Sequence, residues 1–350
     1  MWKIEFVEGW DAVNEAGFWA DYVRHFDAAE ARHVFFRPEM VATWLETYRP
    51  LRKLTPMFVT ARNERGNVAM LPMVMWRRNW KNAFIRSIVP VGYSDYDYHD
   101  PVFKMTPLES EICEFWEDMA DALKLRGADE IVVDGIRDRY LPKKMEGWTR
   151  GEICPNLAIS QMSSEEDLMG FFKTKLRGDI RRQIRRLEEI GTLEFRVYGS
   201  ASEVDDRIFE EFMAAHSRRW PNAYKAPGYH RNLLAKCGED GPVSFSTLSV
   251  GDDVVAWHLG FEEDGRYYYY MPAGNAEYQK YSPVKVHLYF LIKRAIEKGM
   301  RTYDHLRGDE AYKSGWADGS EYVNTWKWES PGNGARVKRR LMALRGLIWT

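Results

Sequence analysis

Apolar and polar positions along this chain repeat with two periods, and the switches between them lay out its elements. In the first half, period-two alternation predicts strands at residues 2–7, 56–61, 68–76, 84–88 and 130–133. Apolar residues recurring every three to four positions predict helices at 12–25, 38–48 and 108–126. The run Asn63-Glu-Arg-Gly-Asn67 reads as a hairpin turn between two strands, and Arg126-Gly127 stops a helix just before a strand. Interleaved helices and strands predict a mixed α/β module, neither all-helical nor all-β.

Around residues 138–155 the periodicity is lost, and Pro142, Gly147, Gly151 and Pro155 collect there. A boundary is expected at this point, giving modules at 1–155 and 156–334 and a separate basic helix at 335–350. The second module is read as helices at 164–172, 176–190, 205–219 and 229–237, then strands at 243–250, 254–261 and 267–271. A helix starting at Pro283 follows, with strands at 302–307 and 322–329. The expected fold class is α/β with mixed sheets.

With 350 residues, 14% of them aromatic, the chain can bury two cores of ordinary size. A formal net charge of −2 argues against a whole-protein nucleic-acid binder, which would carry a strong basic excess. Cys113, Cys154 and Cys237 are odd in number and far apart, so neither a disulfide framework nor a zinc site is indicated, and a reducing cytoplasm fits. The first residues alternate like a strand and include Glu5 and Glu8, unlike a signal peptide. Uncharged apolar runs such as 68–76 and 286–292 are too short to cross a bilayer.

Candidate chemistry concentrates in residues 301–316, where Asp304, Arg307, Asp309, Glu310 and Lys313 fall within ten positions after the expected helix stop at Gly299. Either a solvated ion-pair loop or a reactive loop fits these residue types. His258 sits on a predicted strand face with Ala256 and Gly260, where small neighbours leave room for a substrate. A structural histidine is the competing reading. Ser282-Pro283 reads as a capped helix start, whose unpaired amides attract anions. On helix 176–190 and just before it, the residues Lys173, Lys175, Arg177, Arg181, Arg182, Arg185 and Arg186 crowd the polar side, as an anion surface or a solvated one. Tyr267 to Tyr270 puts rings on both faces of a strand, as core or as a substrate platform. Asp95, Asp97, His99 and Asp100 meet no fixed ligand spacing, and no metal is expected.

The order Trp257-His258-Leu-Gly-Phe261, Arg266-Tyr-Tyr-Tyr-Tyr-Met271, the Pro283 helix and Tyr303-Asp304-His305-Leu306-Arg307-Gly308-Asp309 resembles an acetyltransferase domain of the CelD type. That domain, found in cellulose and exopolysaccharide biosynthesis proteins, belongs to the Gcn5-related N-acetyltransferase (GNAT) superfamily. Lys175 to Leu187 resembles its opening, and residues 33–44 and 68–73 resemble a module that precedes it. More distantly the chain resembles the FemAB transferases, tandem enzymes that use aminoacyl-tRNA.

The resemblance implies tandem GNAT-like modules of the acyl-CoA N-acyltransferase fold, the first degenerate and the second active. Acyl-CoA, acetyl-CoA in particular, is then the implied donor, held at Tyr281, Ser282, Pro283, Val284 and Lys285. The resemblance marks Asp309 and Lys313 as a functional pair; with His258 and Asp304 they make the expected catalytic set, and Tyr270, Arg307, Tyr312, Arg181 and Arg185 are the expected substrate contacts. The acceptor would be an amine or hydroxyl, on a saccharide or its precursor. This loop departs from the superfamily's Gly-rich pattern, having no glycine between Gly274 and Gly299. Alternatives are a FemAB-like aminoacyl transferase and a non-catalytic binding protein. The last stretch, with Arg336, Lys338, Arg339, Arg340 and Arg345 beside Val337, Leu341 and Leu344, reads as a helix on an anionic inner membrane surface or packed on its own module.

Overall fold

Each half of the chain builds the same core motif: an antiparallel meander, a helix, and then a strand laid parallel to the last strand of the meander. In a computed structural model the chain divides into two units, Met1–Glu152 with Tyr322–Thr350, and Ile153–Glu321. The residues described are 1–77, 85–93, 95–143, 146–221, 226–238 and 241–348, with side chains to residue 341.

The first unit opens with β1 (Trp2–Glu8), α1 (Trp10–Asn14), α2 (Phe18–Asp27) and α3 (Pro38–Tyr48). The single helix expected at 12–25 is broken, because Glu15 takes an extended conformation (φ −61°, ψ 137°) ahead of Gly17. Strands β2 (Lys53–Asn63), β3 (Val68–Arg77) and β4 (Arg86–Pro90) form the meander, and β5 (Val102–Phe103) adds to β3. Phe84, expected to start β4, lies outside the described residues. After α4 (Glu109–Lys124), β6 (Glu130–Arg137) returns parallel to β4, pairing Ser87 with Glu130 and Ile88 with Ile131. The core is aromatic: Trp2, Phe103 and Phe115 meet edge to face, with centroids 5.4–6.0 Å apart. Asp95 accepts hydrogen bonds from Trp44 Nε1 and Tyr48 Oη, and buried Asp100 pairs with Arg137 at 2.6 Å, so these two carboxylates serve the fold.

Strand β7 (Trp148–Ala158) occupies much of the stretch that had lost its period. Its first five residues are mostly exposed, so no apolar alternation marked it. In the second unit follow α5 (Glu165–Phe171), α6 (Thr174–Glu188), β8 (Leu193–Val197), α7 (Asp206–Arg219) and α8 (Tyr229–Cys237). Next come β9 (Val243–Val250), β10 (Asp253–Glu263), β11 (Arg266–Gly274), α9 (Pro283–Glu297) and β12 (Thr302–Asp304). The unit's sheet runs β7-β12-β11-β10-β9-β8, with only β11 and β12 parallel. On one face Leu288 and Ile292 of α9 and Ile180 of α6 share a core with Tyr267, Tyr269, Tyr303 and Trp316. Across the sheet, Phe209 and Phe212 of α7 pack on Phe245.

Strand β13 (Gly319–Glu329) crosses back at Tyr322 and pairs with β6, and α10 (Asn333–Ile348) follows it in the first unit. Lys338 bonds both carboxylate oxygens of Asp129 and Arg339 meets Glu329 at 3.1 Å, so two of the cations expected to face a membrane are turned onto the unit. Val337 and Leu341 remain 55% and 56% exposed. Arg345, Leu344 and Ile348 have side chains outside the described set.

Burial holds the imidazoles of the second unit neutral. Desolvation lowers His230 and His287 to about 3 and His216 and His305 to about 4, and pushes His258 well below the usual range. The unfolded chain, with imidazoles near 6.5, then binds more protons than the folded one below that pH, so stability is full above about 6.5 and is lost as pH falls toward 4. The urea midpoint is expected to drop between pH 7.5 and 5.0, and to drop less in His287→Gln. A midpoint flat over that window would contradict the assignment.

Candidate active site

The chemistry of the second unit is organised where two parallel strands part. Strand β11 pairs with β12 only from Arg266 to Tyr268, although it continues to Gly274. The cause lies just past Asp304. Leu306 takes a left-handed conformation (φ +57°), and the amides of His305 and Gly308 bond to the carbonyls of Pro155 and Ile153 instead. The chain therefore follows β7 away from β11, and the expected strand 302–307 ends at Asp304.

A cavity of about 710 Å³ lies at the far end of β11. Its walls are Pro272 to Asn275, the helix start Ser282, Pro283, Val284 and Lys285, and the last turn of α7, which brings Arg218 and Arg219. Pro283 sits at the first helical position, where a missing amide proton costs nothing. Ser282 does not cap with its side chain; it is itself left-handed (φ +53°), and its carbonyl takes the Lys285 amide at 3.0 Å. The positive end of α9 and two exposed guanidinium groups thus converge on one cavity. Four of the five residues expected to hold the donor line it. Tyr281 does not: it lies beneath Arg186, whose guanidinium is 5.0 Å from its ring. Lys285 is tied to Asp179 at 2.5 Å; burial, the largest single influence, works upward on that carboxylate, but the hydrogen bond and charge of Lys285 with the bonds from Gln183 and Arg182 together lower its pKa.

The dense loop 304–313 resolves into held and open groups. Asp304 is 2% exposed, pairs with Arg266 at 2.8 Å and accepts the Leu306 amide at 2.9 Å. Lys313 is also buried, its ammonium donating to the Arg307 carbonyl at 2.6 Å and lying 2.9 Å from Glu310. These two are ties of the loop; neither side chain stands open to a substrate. Gly308 has φ +123°, and a Cβ there would stand 2.2 Å from Glu310 Oε2, so only glycine fits. Asp309 and Tyr312 are the exposed members, and Arg307 is half-buried. Burial raises the phenol pKa values of both Tyr269 and Tyr312, and the nearby charge of Arg219 works weakly the other way on each.

His258 departs from expectation. The space left by its small neighbours is filled: its ring stacks on Tyr269 at 4.5 Å, its Nδ1 meets Tyr267 Oη at 3.1 Å, and His287 stands at 6.3 Å. The residue is fully buried, and its Nε2 has no hydrogen-bond partner among the described residues. Gly260 is required by this packing, since a Cβ would lie 2.4 Å from His258 Cε1. Tyr270, on the opposite face, packs on Phe261 at 4.9 Å and His230 at 6.1 Å. Arg181 and Arg185 are exposed on α6 and do not line the cavity. Arg218, Arg219 and Gln279, which do, had no sequence signal beyond cations in a helix's last turn and a glutamine in a turn.

Residues 174–314 match the family model for an acetyltransferase (GNAT) domain. The span begins with α6 and ends in the loop after Lys313, and so includes the parted strands, the cavity and the ties just described. Among solved structures, FemX has a similar fold, with a TM-score of 0.58 at 13% identity over 91% of this chain and 98% of that one. The C-terminal domain of a candidate lysylphosphatidylglycerol synthetase from Agrobacterium fabrum gives 0.55 at 13% identity over 93% and 96%. A tandem GNAT protein from the clavulanic acid biosynthesis pathway gives 0.50 at 10% identity over 95% and 100%. No curated protein matches. At these identities the solved structures establish a shared fold, the tandem GNAT-like α/β architecture.

Stability measurements separate the held groups from the open ones. Lys313→Ala is expected to lower unfolding free energy by roughly 2–3 kcal/mol, because it strips a charged donor from buried acceptors. Asp309→Asn is expected to change it by less than about 0.5 kcal/mol, as for an exposed side chain. Equal losses in chemical denaturation would show that Asp309 is also a structural tie.

Proposed function

We propose that the second unit is an acyltransferase that moves an acyl group, acetyl in the simplest case, from acyl-CoA to an amine or hydroxyl acceptor. The observation that carries this reading is the cavity at the α9 start, where a helix N-terminus, Arg218 and Arg219 meet beside the strand edge that β12 leaves. A diphosphate suits that charge pattern, and an extended amide-bearing chain suits an unpaired strand edge. Ser282, Val284 and Lys285 would hold the phosphates from the helix, with Arg218 and Arg219 opposite.

The acceptor nitrogen, as a free amine, attacks the thioester carbonyl carbon; the carbon–nitrogen bond forms, the carbon–sulfur bond breaks, and the sulfur leaves with a proton. Balanced, acyl-S-CoA and an ammonium give an amide, CoA-SH and one released proton. Asp309 and Tyr312, exposed on the loop, are the groups available for proton traffic. Lys313 and Asp304 position that loop, and His258 holds Tyr267 and Tyr269 of β11 from below.

The CelD-like motifs extend the reading to a saccharide acceptor in exopolysaccharide or cell-envelope synthesis. An aminoacyl-tRNA donor is the second reading, supported by the exposed Lys173, Lys175, Arg181 and Arg185 of α6. The two donors are separable: tRNA binding falls steeply with salt and needs those cations, whereas CoA binding needs Arg219. Contact with an anionic membrane through α10 would use exposed Val337, Leu341, Arg336 and Arg340.

Coenzyme A is expected to raise the melting temperature, stabilising the fold by about 2.7 kcal/mol at one hundred times Kd. Arg219→Ala should weaken binding by roughly tenfold. A folded protein that shows neither a melting shift nor calorimetric heat with CoA or acetyl-CoA would refute the donor. For α10, sedimentation with phosphatidylglycerol vesicles at low salt should fall after Val337→Asp with Leu341→Asp; binding unchanged by that pair would exclude the helix as the contact.

A further inference from the structure

The outer face of α6 is built at a cost in stability that no contact inside the unit offsets. The helix turns Ile180, Gln183 and Leu187 to the core. At about 3.6 residues per turn, Gly178 falls opposite that buried side, with Lys175 and Arg182 to one side of it, Arg181 to the other and Arg185 two turns on. All five are exposed, and a Cβ on Gly178 would meet nothing within 4 Å. Glycine inside a helix lowers its stability relative to alanine, and here neither crowding nor a positive φ requires it. The first turn also carries Lys175 and Arg177 with no acid, against the helix dipole. Lys173, Lys175, Arg181 and Arg185 make no side-chain hydrogen bond or ion pair among the described residues. Seven cations stand between residues 173 and 186 against the single carboxylate of Asp179, in a chain whose formal net charge is −2, and so concentrated an excess suits an anionic partner.

The face narrows the chemistry of that partner. It has no aromatic ring on which an unpaired base could stack, and no large apolar side chain to enter a bilayer, since Leu176 and Ile184 pack on the core. Its centre, where a phosphate-binding helix would place another cation, is the residue that allows the closest approach. A smooth centre flanked by cations fits a crossing helix, whose axis comes nearer over a glycine and whose carboxylates then meet Lys175, Arg181 and Arg185.

The same face borders the donor cavity. Asp179, next to Gly178, holds Lys285 of the cavity wall, and Arg186 donates to the Lys280 carbonyl at 3.0 Å, two residues before Ser282. A partner seated on Gly178 therefore stands beside the phosphate end of that cavity. A phosphopantetheine arm joined through its phosphate to a protein serine presents the same phosphate, amide-bearing chain and thioester as acyl-CoA, with a protein in place of the nucleotide.

We infer that α6 docks an acidic, helical carrier protein whose phosphopantetheine arm delivers the acyl group into the cavity at the α9 start. The inference rests on the acyl-transfer reading above and adds a protein-borne donor to it. The balance keeps its form: the carbon–nitrogen bond forms, the carbon–sulfur bond to the arm breaks, the arm's sulfur leaves with a proton, and an ammonium acceptor releases one proton overall.

The test titrates the full chain with an acidic acyl carrier protein, with and without its acetyl-phosphopantetheine arm, by calorimetry at low salt and at physiological ionic strength. The armed carrier is expected to bind about tenfold more tightly than the armless one, and both to weaken as salt screens the contact. Arg181→Glu with Arg185→Glu, and separately Gly178→Trp, should each weaken carrier binding roughly tenfold while the CoA-induced melting shift stays as in the parent. A side chain at 178 meets no neighbour and improves on the helix propensity of glycine, so Gly178→Trp should melt no lower than the parent, and binding lost there reports a blocked surface. No binding of the armed carrier to the parent, equal binding with and without the arm, or unchanged binding in both variants overturns the inference. A parent that binds duplex RNA or phosphatidylglycerol vesicles through α6, and not the carrier, overturns it in favour of that partner. If CoA gives no melting shift while the carrier binds through α6, the CoA donor fails and the docking inference stands.

Discussion

The buried ammonium of Lys313 is the contact on which the shape of the second unit's loop after β12 depends. A charged group taken out of water is tolerated only where acceptors surround it, and here the acceptors are the Arg307 carbonyl and the Glu310 carboxylate. Because one acceptor is backbone, satisfying the lysine also fixes the path of the chain. That path passes through two sparsely populated conformations, at Leu306 and Gly308, which a free loop would abandon. Asp304 supports the same turn from the other side by taking the Leu306 amide.

From this turn the rest follows. A chain bent toward β7 cannot continue alongside β11, so the parallel pair ends after three registered residues, and β12 leaves the edge of β11 beyond Tyr268. The aromatic stack beneath keeps that edge stiff. Tyr267, Tyr269 and His258 interleave under α9, and the two buried imidazoles, His258 and His287, stay neutral because charging either would leave an ion in an apolar layer. Residues with titratable side chains therefore serve as packing here.

Opposite charges are sorted in the same way. The guanidinium groups in the last turn of α7 meet the N-terminal turn of α9, and these cations and the positive helix end favour an anion together. The other face of α7 carries Glu210 beside Phe209 and Met213. One helix thus presents cations at its C-terminal end and an exposed carboxylate on a separate face.

Period and punctuation alone determined most elements of this protein, because an amphipathic helix or half-buried strand writes its burial into the sequence: α3, α8 and β9 begin and end where the pattern changes. The helix start at Pro283 was equally legible, since proline and serine have local reasons to be there. Strand β7 was not, as its exposed first half carries no alternation. Nor was the division of labour in the loop: Asp304, Asp309 and Lys313 are all charged, and only tertiary packing decides which are buried against Arg266 or the Arg307 carbonyl and which face water. His258 makes the same point, for the room beside it in the strand is filled by rings of neighbouring strands and of α9. Local sequence specifies which conformations and faces are available; burial, and with it the charge state and reach of each side chain, is set by residues distant in the chain.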